Sequence, residues 1–222
     1  MPVQRVRLGV LLSLDTRSSP IVGVYQALRE INNKSDGVHD SLLPLTQLVV
    51  TVQNFTTGRS GCSISKALEE ALALTGHPGD ECSADNVSKI SAIVGATCSQ
   101  ESFAAANVAE KAQLPIVSPS STSPKLSDGG KYPYFLRVVA SDSFWAIAAV
   151  DVLRNLWRYT HVTLVHSADG YGYDAADAFS LRAQQDGLTI KTKQILPLAK
   201  HRAKLEDSDA FSKQHNAILN SG

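Results

Sequence analysis

An α/β fold on a parallel sheet is what this sequence predicts, and three observations carry the prediction. Short, mostly apolar runs recur at residues 6–14, 48–52, 90–94 and 114–117, and further strands read at 161–166 and 188–196. Apolar runs of this kind suit strands covered on both faces, as parallel strands are. Between most of them lie segments whose apolar residues fall at helical spacing. Caps and breakers such as Ser19-Pro20, Gly76 with Pro78, Ser141-Asp142 and Gly187 mark the ends of those segments. Strand alternating with helix gives βα units and hence parallel sheets.

The first strand, 6–14, is bounded by Asp15-Thr16-Arg17-Ser18-Ser19-Pro20. Ser19 offers a hydroxyl cap and Pro20 sits at the first helical position. Ile21, Val24, Tyr25, Leu28 and Ile31 then form one helical face, ended by Asn32-Asn33. After the strand at 48–52, Ile64, Ala67, Leu68, Ala71, Leu72 and Leu74 make a second helix. Residues 77–88 read as a polar loop. Gly95 ends the strand at 90–94, Cys98-Ser99-Gln100 supplies capping chemistry, and Phe103, Ala106, Val108 and Ala109 begin the next helix. The strand at 114–117 runs into a Ser/Pro-rich loop at 118–123, and a further strand follows it. Ser141-Asp142 caps a helix with Ile147, Val150, Leu153, Leu156 and Trp157 facing inward, and Trp145 and Trp157 are expected in the core. Residues 168–172 read as a turn, 173–185 as a helix and 188–196 as a strand.

Composition narrows the class. A chain of 222 residues with 43% hydrophobic and 19% charged residues can bury a sizeable core. Its formal net charge is zero and its Lys and Arg are dispersed, which argues against a nucleic-acid partner. No apolar run reaches the roughly 18 residues of a membrane span. The segment LGVLLSL near the start is too short for a signal-peptide core and lacks a cleavage site, so it reads as a buried strand. Cys62, Cys82 and Cys98 permit one disulfide and leave one cysteine over. None has metal-ligand spacing, so neither a metal nor another cofactor is expected. Asn33-Lys-Ser, Asn54-Phe-Thr and Asn86-Val-Ser are glycosylation sequons.

Two loops leave the C-terminal ends of neighbouring strands, the edge where open α/β sheets bind ligands. One opens a helix whose free N–H groups attract anions. The other offers the hydroxyls of Ser118, Ser120, Ser121, Thr122 and Ser123. His166 and Asp169 invite comparison with a serine triad. No Gly-x-Ser-x-Gly elbow accompanies them, and the chain is not expected to be an enzyme.

The runs VGATCSQESFAAANVAEKAQLPIVSPSSTSPKLSD, YPYFLRVVASD and HSADGYGYDAADAF resemble, in combination, the ligand-binding domain of the type I periplasmic-binding-protein superfamily. That superfamily includes branched-chain amino-acid binding proteins and the ectodomains of metabotropic glutamate, GABA-B and natriuretic-peptide receptors. The resemblance runs from about Val6 to the end of the chain. It implies two lobes of parallel βα units: most of the first at 6–140 and a partial second at 141–222, as though truncated.

The resemblance also implies site residues. Ser99 matches the serine that binds a ligand carboxylate with backbone N–H groups. Ser120 and Thr122 match the residues holding the α-amino and carboxylate groups, and Ser121 between them offers mainly backbone. Tyr171 matches the second-lobe tyrosine that packs over the ligand. The arginine that receives a distal acid in glutamate-type receptors falls at Pro20, with Arg17 three residues earlier, so glutamate is not supported as ligand. Ser99 as a cap alone, 118–123 as a solvated loop, and Tyr171 as a surface aromatic stay open beside these roles. The resemblance to GABA-B-like receptors implies a Cys62–Cys98 disulfide, and Cys82 lies where glutamate-type receptors carry a dimer-linking cysteine, compatible with an intermolecular bridge; three reduced thiols in a cytosolic protein stay open beside this.

The expected function is an extracellular sensing domain of a membrane receptor, closing about a hinge on a small amino-acid-like ligand. Its partners would be a membrane-spanning signalling region outside this chain and a second chain in a homo- or heterodimer. Two alternatives stand beside it: a solute-binding protein of an amino-acid ABC transporter, and a dimerisation remnant that binds nothing.

Overall fold

The computed structural model describes residues 3–13, 20–55, 62–76 and 90–196. The chain divides into two compact units: 1–121 with 129–139, and 122–128 with 140–222. The segment 122–128, between two strands of the first unit in sequence, therefore belongs spatially to the second.

In the first unit the elements are β1 (Gln4–Ser13), α1 (Pro20–Asn32), β2 (Thr46–Phe55), α2 (Ile64–Thr75), β3 (Ala92–Gly95), α3 (Ser99–Ala112), β4 (Ile116–Ser118) and β5 (Phe135–Arg137). Their strands form one parallel sheet in the order β2-β1-β3-β4-β5. β1 is interior to the sheet, and Val10 and Leu11 are fully buried there. Strand order runs outward from β1 in both directions, so the crevice beyond the C-terminal ends of β1 and β3 is the topological switch point, where such sheets bind ligands. Val10 pairs with Val94 across β1 and β3, and Val94 with Val117 across β3 and β4.

Helix positions follow the predicted pattern with two differences. Pro20 opens α1, as predicted; Ser19, its expected cap, lies outside the described residues with Leu14 and Arg17. No residue of α1 is fully buried, and Tyr25 is exposed where the pattern placed it inward. In α2, Ala67, Ala71 and Leu74 meet the core while Ile64 and Leu68 are exposed. Ala67, Ala71 and Leu74 are spaced four and three residues apart, so one helical face meets the core; Leu68 lies off it, and Ile64 is the first residue of the helix. At the sheet edge, Asn32 clips β2: its Nδ2 donates to Leu48 O and its Oδ1 accepts the Leu48 N–H, both at 2.8 Å. This satisfies edge groups that would otherwise be open to pairing.

The second unit contains α4 (Asp142–Asp151), running into a π-helical turn (Val152–Leu156), then β6 (His161–Ser167), α5 (Gly170–Gln185) and β7 (Thr189–Leu196), with β6 and β7 parallel. Ala146, Val150, Phe179, Ala183 and Leu188 form its core, with Leu153, Val162, Leu164 and Ile190 packed against them. Two expectations are corrected here. Trp145 is 55% exposed, Leu156 71% and Trp157 57%, and Ile147 is exposed too. α4 is apolar around its whole circumference, so periodicity could not select the buried face. The π turn adds a residue per turn, which rotates Leu156 and Trp157 off the helical phase. The helix α5 also begins three residues earlier than expected, because Asp169 Oδ1 accepts the Gly172 N–H at 2.8 Å and caps it. The Gly-Tyr-Gly sequence is thus the helix's first turn.

Gly95 is where β3 ends. Its φ is +134°, and a Cβ there would lie 1.8 Å from the Leu11 carbonyl oxygen. Main chain on neighbouring β1 cannot yield to that contact. Gly95→Ala is expected to lower stability by about 2–4 kcal/mol, read as a reduced urea midpoint at unchanged slope.

Candidate ligand-binding site

The site is built where residues 95–98 leave β3 and 118–121 leave β4. Three hydroxyls are fully buried between these loops: Ser102, Ser118 and Ser121. Ser118 Oγ donates to Ala96 O at 2.6 Å. The hydroxyls of Ser102 and Ser121 are 2.8 Å apart. If Ser121 donates to Ser102, the Ser102 proton is left for Ala96 O at 3.3 Å. If Ser102 donates, the Ser121 proton is left for Thr97 O at 3.4 Å. Either way every proton finds an acceptor. This matters because an unsatisfied buried hydroxyl costs about 1–3 kcal/mol.

Ser118 Oγ also accepts the Ser121 N–H at 3.0 Å, and Arg137 Nη1 donates to Ser121 O at 3.3 Å. The more exposed Ser120 donates its hydroxyl to Thr97 O at 2.7 Å. Thus Ser120 and Ser121 are both bonded to the turn that opens α3, two residues before Ser99. Ser99 is buried as the first residue of α3. The first N–H groups of a helix have no carbonyl a turn earlier to receive them, and the dipole there favours negative charge. Ser121 gives its hydroxyl to the buried network and its N–H and carbonyl to Ser118 and Arg137, so it holds the shape of the loop.

Thr122 and Tyr171 lie in the second unit. Thr122 Oγ1 donates to Asp142 Oδ2 at 2.9 Å, and Thr122 O accepts the Asp142 N–H at 2.9 Å. The Thr122 proton is therefore engaged, and the hydroxyl retains acceptor capacity. The N-cap of α4 is Ser141, with Asp142 its first helical residue. Tyr171 is 45% exposed on the first turn of α5. Just beyond Thr122, Ser123 Oγ and Lys125 Nζ both engage the buried Asp174 of α5, pinning 122–128 to the second unit. Asp174 was not singled out from sequence, and no local pattern marks it.

Cys62 and Cys98 form a disulfide with Cα atoms 6.1 Å apart. Cys82 lies outside the described residues. Beside the bridge stands Glu101, a residue sequence reasoning passed over. Its Oε1 accepts the Ser63 N–H at 3.0 Å, and its Oε2 accepts the Cys98 N–H and the Thr97 hydroxyl, each at 3.3 Å. An acid three residues after a helix cap is a capping-box signature and was legible as such. Burial pushes the Glu101 carboxyl above its ordinary range; the N–H groups of Ser63 and Cys98 and the Thr97 hydroxyl oppose the rise. Cys62, Cys98 and Glu101 are also the one cluster of metal-type ligands among the described residues. Both sulfurs are already bonded to each other.

Residues 23–218 match the family model described as the receptor family ligand binding region. The chain belongs to this family. Metabotropic glutamate receptor 4 of Macaca fascicularis is 32% identical over 169 residues, covering 72% of this chain and 18% of the receptor. Metabotropic glutamate receptor 8 of Homo sapiens is 37% identical over 111 residues, 49% of this chain and 12% of the receptor. The chain therefore spans less than a fifth of the length of these curated relatives. An ABC transporter substrate-binding protein from Desulfitobacterium hafniense, solved in complex with Leu, superposes with a TM-score of 0.66 at 24% identity, over 97% of this chain and 56% of that one. This likeness shows the fold: the domain has the type I periplasmic-binding-protein architecture.

Two predictions follow from this receptor-family site. Replacing Cys62 and Cys98 by serine opens a crosslink spanning 36 residues. It is expected to cost about 2–4 kcal/mol, measured by chemical denaturation against the oxidised protein. The second concerns pH. Glu101 has a raised folded pKa, so the folded state binds the proton more tightly than the unfolded state. Its contribution to stability is present below the unfolded value and is lost as pH rises through the folded one. Glu101→Gln is expected to remove that decline over the window just above the ordinary carboxylate range, in urea titrations run as a pH series.

Proposed function

We propose that this ligand-binding domain is the extracellular sensing part of a membrane receptor and that it takes a small amino acid. The ligand's carboxylate sits at the N-terminus of α3, on the Ser99 hydroxyl and first-turn N–H groups, and Ser120 reaches its head group from the adjoining loop. The observation that supports this most is the joining of the two loops: Ser120 is hydrogen-bonded to Thr97 O, and Ser121 is tied to the same turn through the hydroxyl network with Ser102, just before the helix that offers the donors. A carboxylate there gains roughly 0.3–2 kcal/mol from the dipole, in addition to its hydrogen bonds. A binding role rather than catalysis fits Ser118 and Ser120, whose hydroxyls donate to main-chain carbonyls instead of to a base.

The receptor reading is preferred over a transporter's solute-binding protein because the relatives at 32–37% identity are receptors. The transporter protein shares the fold at 24%. Thr122, Tyr171, the signalling region and a dimeric partner enter the proposal through the family alone.

The test is thermal unfolding of the chain against L-leucine, glycine, 4-aminobutyrate and L-glutamate, with Ser99→Ala and Ser120→Ala alongside. A binder at a hundredfold excess over its Kd stabilises by about 2.7 kcal/mol, or roughly 5–10 °C for a domain of this size. The expected result is a shift with at least one of these amino acids that both variants lose. A cooperative transition that none of them moves would overturn the proposal and favour a module that only dimerises.

A further inference from the structure

The sensing site makes no use of the three Asn-x-Ser/Thr triplets. Asn33-Lys34-Ser35 is the one whose side chains are all described. It follows α1 directly, and the Asn33 N–H closes that helix on Arg29 O at 3.0 Å. The two adjacent asparagines have separate fates. Asn32 is half-buried, with both ends of its amide bonded to Leu48 of β2. Asn33 is exposed. Its Oδ1 accepts from the Ser35 hydroxyl at 3.0 Å and the Ser35 N–H at 3.3 Å, and its Nδ2 donates to the exposed Asp36 at 2.8 Å. The hydroxyl the triplet requires is thus already on the amide it would polarise, and a single surface contact covers the nitrogen.

The surface beside it gives a glycan something to do. Val38, Leu42, Leu43 and Leu45 are all exposed on the loop that follows. Lys34 Nζ donates to Leu42 O at 2.7 Å, which ties that loop to the middle residue of the triplet. Exposed apolar surface of this kind invites association unless something covers it, and a bulky polar glycan does so. The Cys62–Cys98 bridge is the kind of bond that forms in the oxidising secretory compartment. Sequons are modified on that same route.

We propose that Asn33 is an N-glycosylation site whose glycan covers the apolar loop at 38–45. Asn33 Nδ2 forms a bond to the anomeric carbon of a lipid-diphosphate-linked oligosaccharide. The anomeric C–O bond to the diphosphate breaks, the lipid diphosphate leaves, and an Nδ2 proton passes to a base of the transferase. The proposal rests on the extracellular reading above.

The test expresses the whole chain behind a cleavable secretory leader in eukaryotic cells, as wild type, Asn33→Gln and Ser35→Ala. Peptide mass spectrometry reads the Cys62–Cys98 bond and, after enzymatic glycan release in heavy-oxygen water, the residue at position 33. The expected result is the bridged chain with Asn33 converted to labelled aspartate, loss of that label in both variants, and greater light scattering once the glycan is removed. A bridged chain with Asn33 unmodified overturns the site while leaving the extracellular reading intact. So does labelling that persists in Ser35→Ala. Unchanged scattering overturns the covering role. A chain whose Cys62 and Cys98 stay reduced in that compartment overturns the extracellular reading and the site with it.

Discussion

The carbonyl oxygen of Ala96 is the point on which the ligand-facing edge depends. β3 and β4 are adjacent in the sheet, yet their loops diverge in sequence by a whole helix. Ser118 donates to that oxygen from one side and Ser102 approaches it from the other. Ser121 joins through Ser102. Main chain leaving one strand is thereby tied to main chain leaving the next, with no water needed to complete the bonding. A buried network of this kind is stabilising only when complete. Its completeness in both proton arrangements explains how polar residues can fill a position where a sheet would ordinarily bury apolar ones.

From that point the constraints spread outward in order. Gly95 allows the chain to pass the Leu11 carbonyl at a distance no side chain permits. The Cys62–Cys98 bridge and the Glu101 carboxylate then hold the opening of α3 to the segment before α2. On the far side of the serine-rich loop the anchoring changes hands. Thr122 is bonded to Asp142, and Ser123 and Lys125 to Asp174, all in the second unit. The loop's bonding partners thus change between Ser121 and Thr122, where the first unit gives way to the second. Within the first unit, Ser120 and Ser121 are held by their bonds to the turn before α3 and to Ser102, and preorganised groups bind with less ordering cost than mobile ones.

How far the sequence reveals this depends on whether the information is local. The strands β1, β3 and β4 announce themselves because buried parallel strands demand continuous apolar runs. The proline at the start of α1 and the cap at Ser141 follow from the orphan N–H groups of a helix start and need no tertiary context. Gly95 is legible as a stop, though not as a close approach to Leu11. The apolar circumference of α4 defeats periodicity, and the exposure of Trp145 and Trp157 follows from which face its neighbours cover. Asp174 is an ordinary helix acid in sequence, and only the fold brings Ser123 and Lys125 to it. Glu101 was readable from its spacing to Cys98. Its bond to Ser63 was not, because that contact spans 38 residues of sequence.

The proposed function requires that an amino-acid carboxylate be held by the first unit at the opening of α3. Amide resonances of the isotopically labelled chain, followed while an amino acid that shifts its unfolding temperature is added, test this most directly. Saturable perturbations centred on Ser99, Gln100, Ser120 and Ser121, absent in Ser99→Ala, are expected. Perturbations of equal size confined to other residues, with these four unmoved, would contradict it.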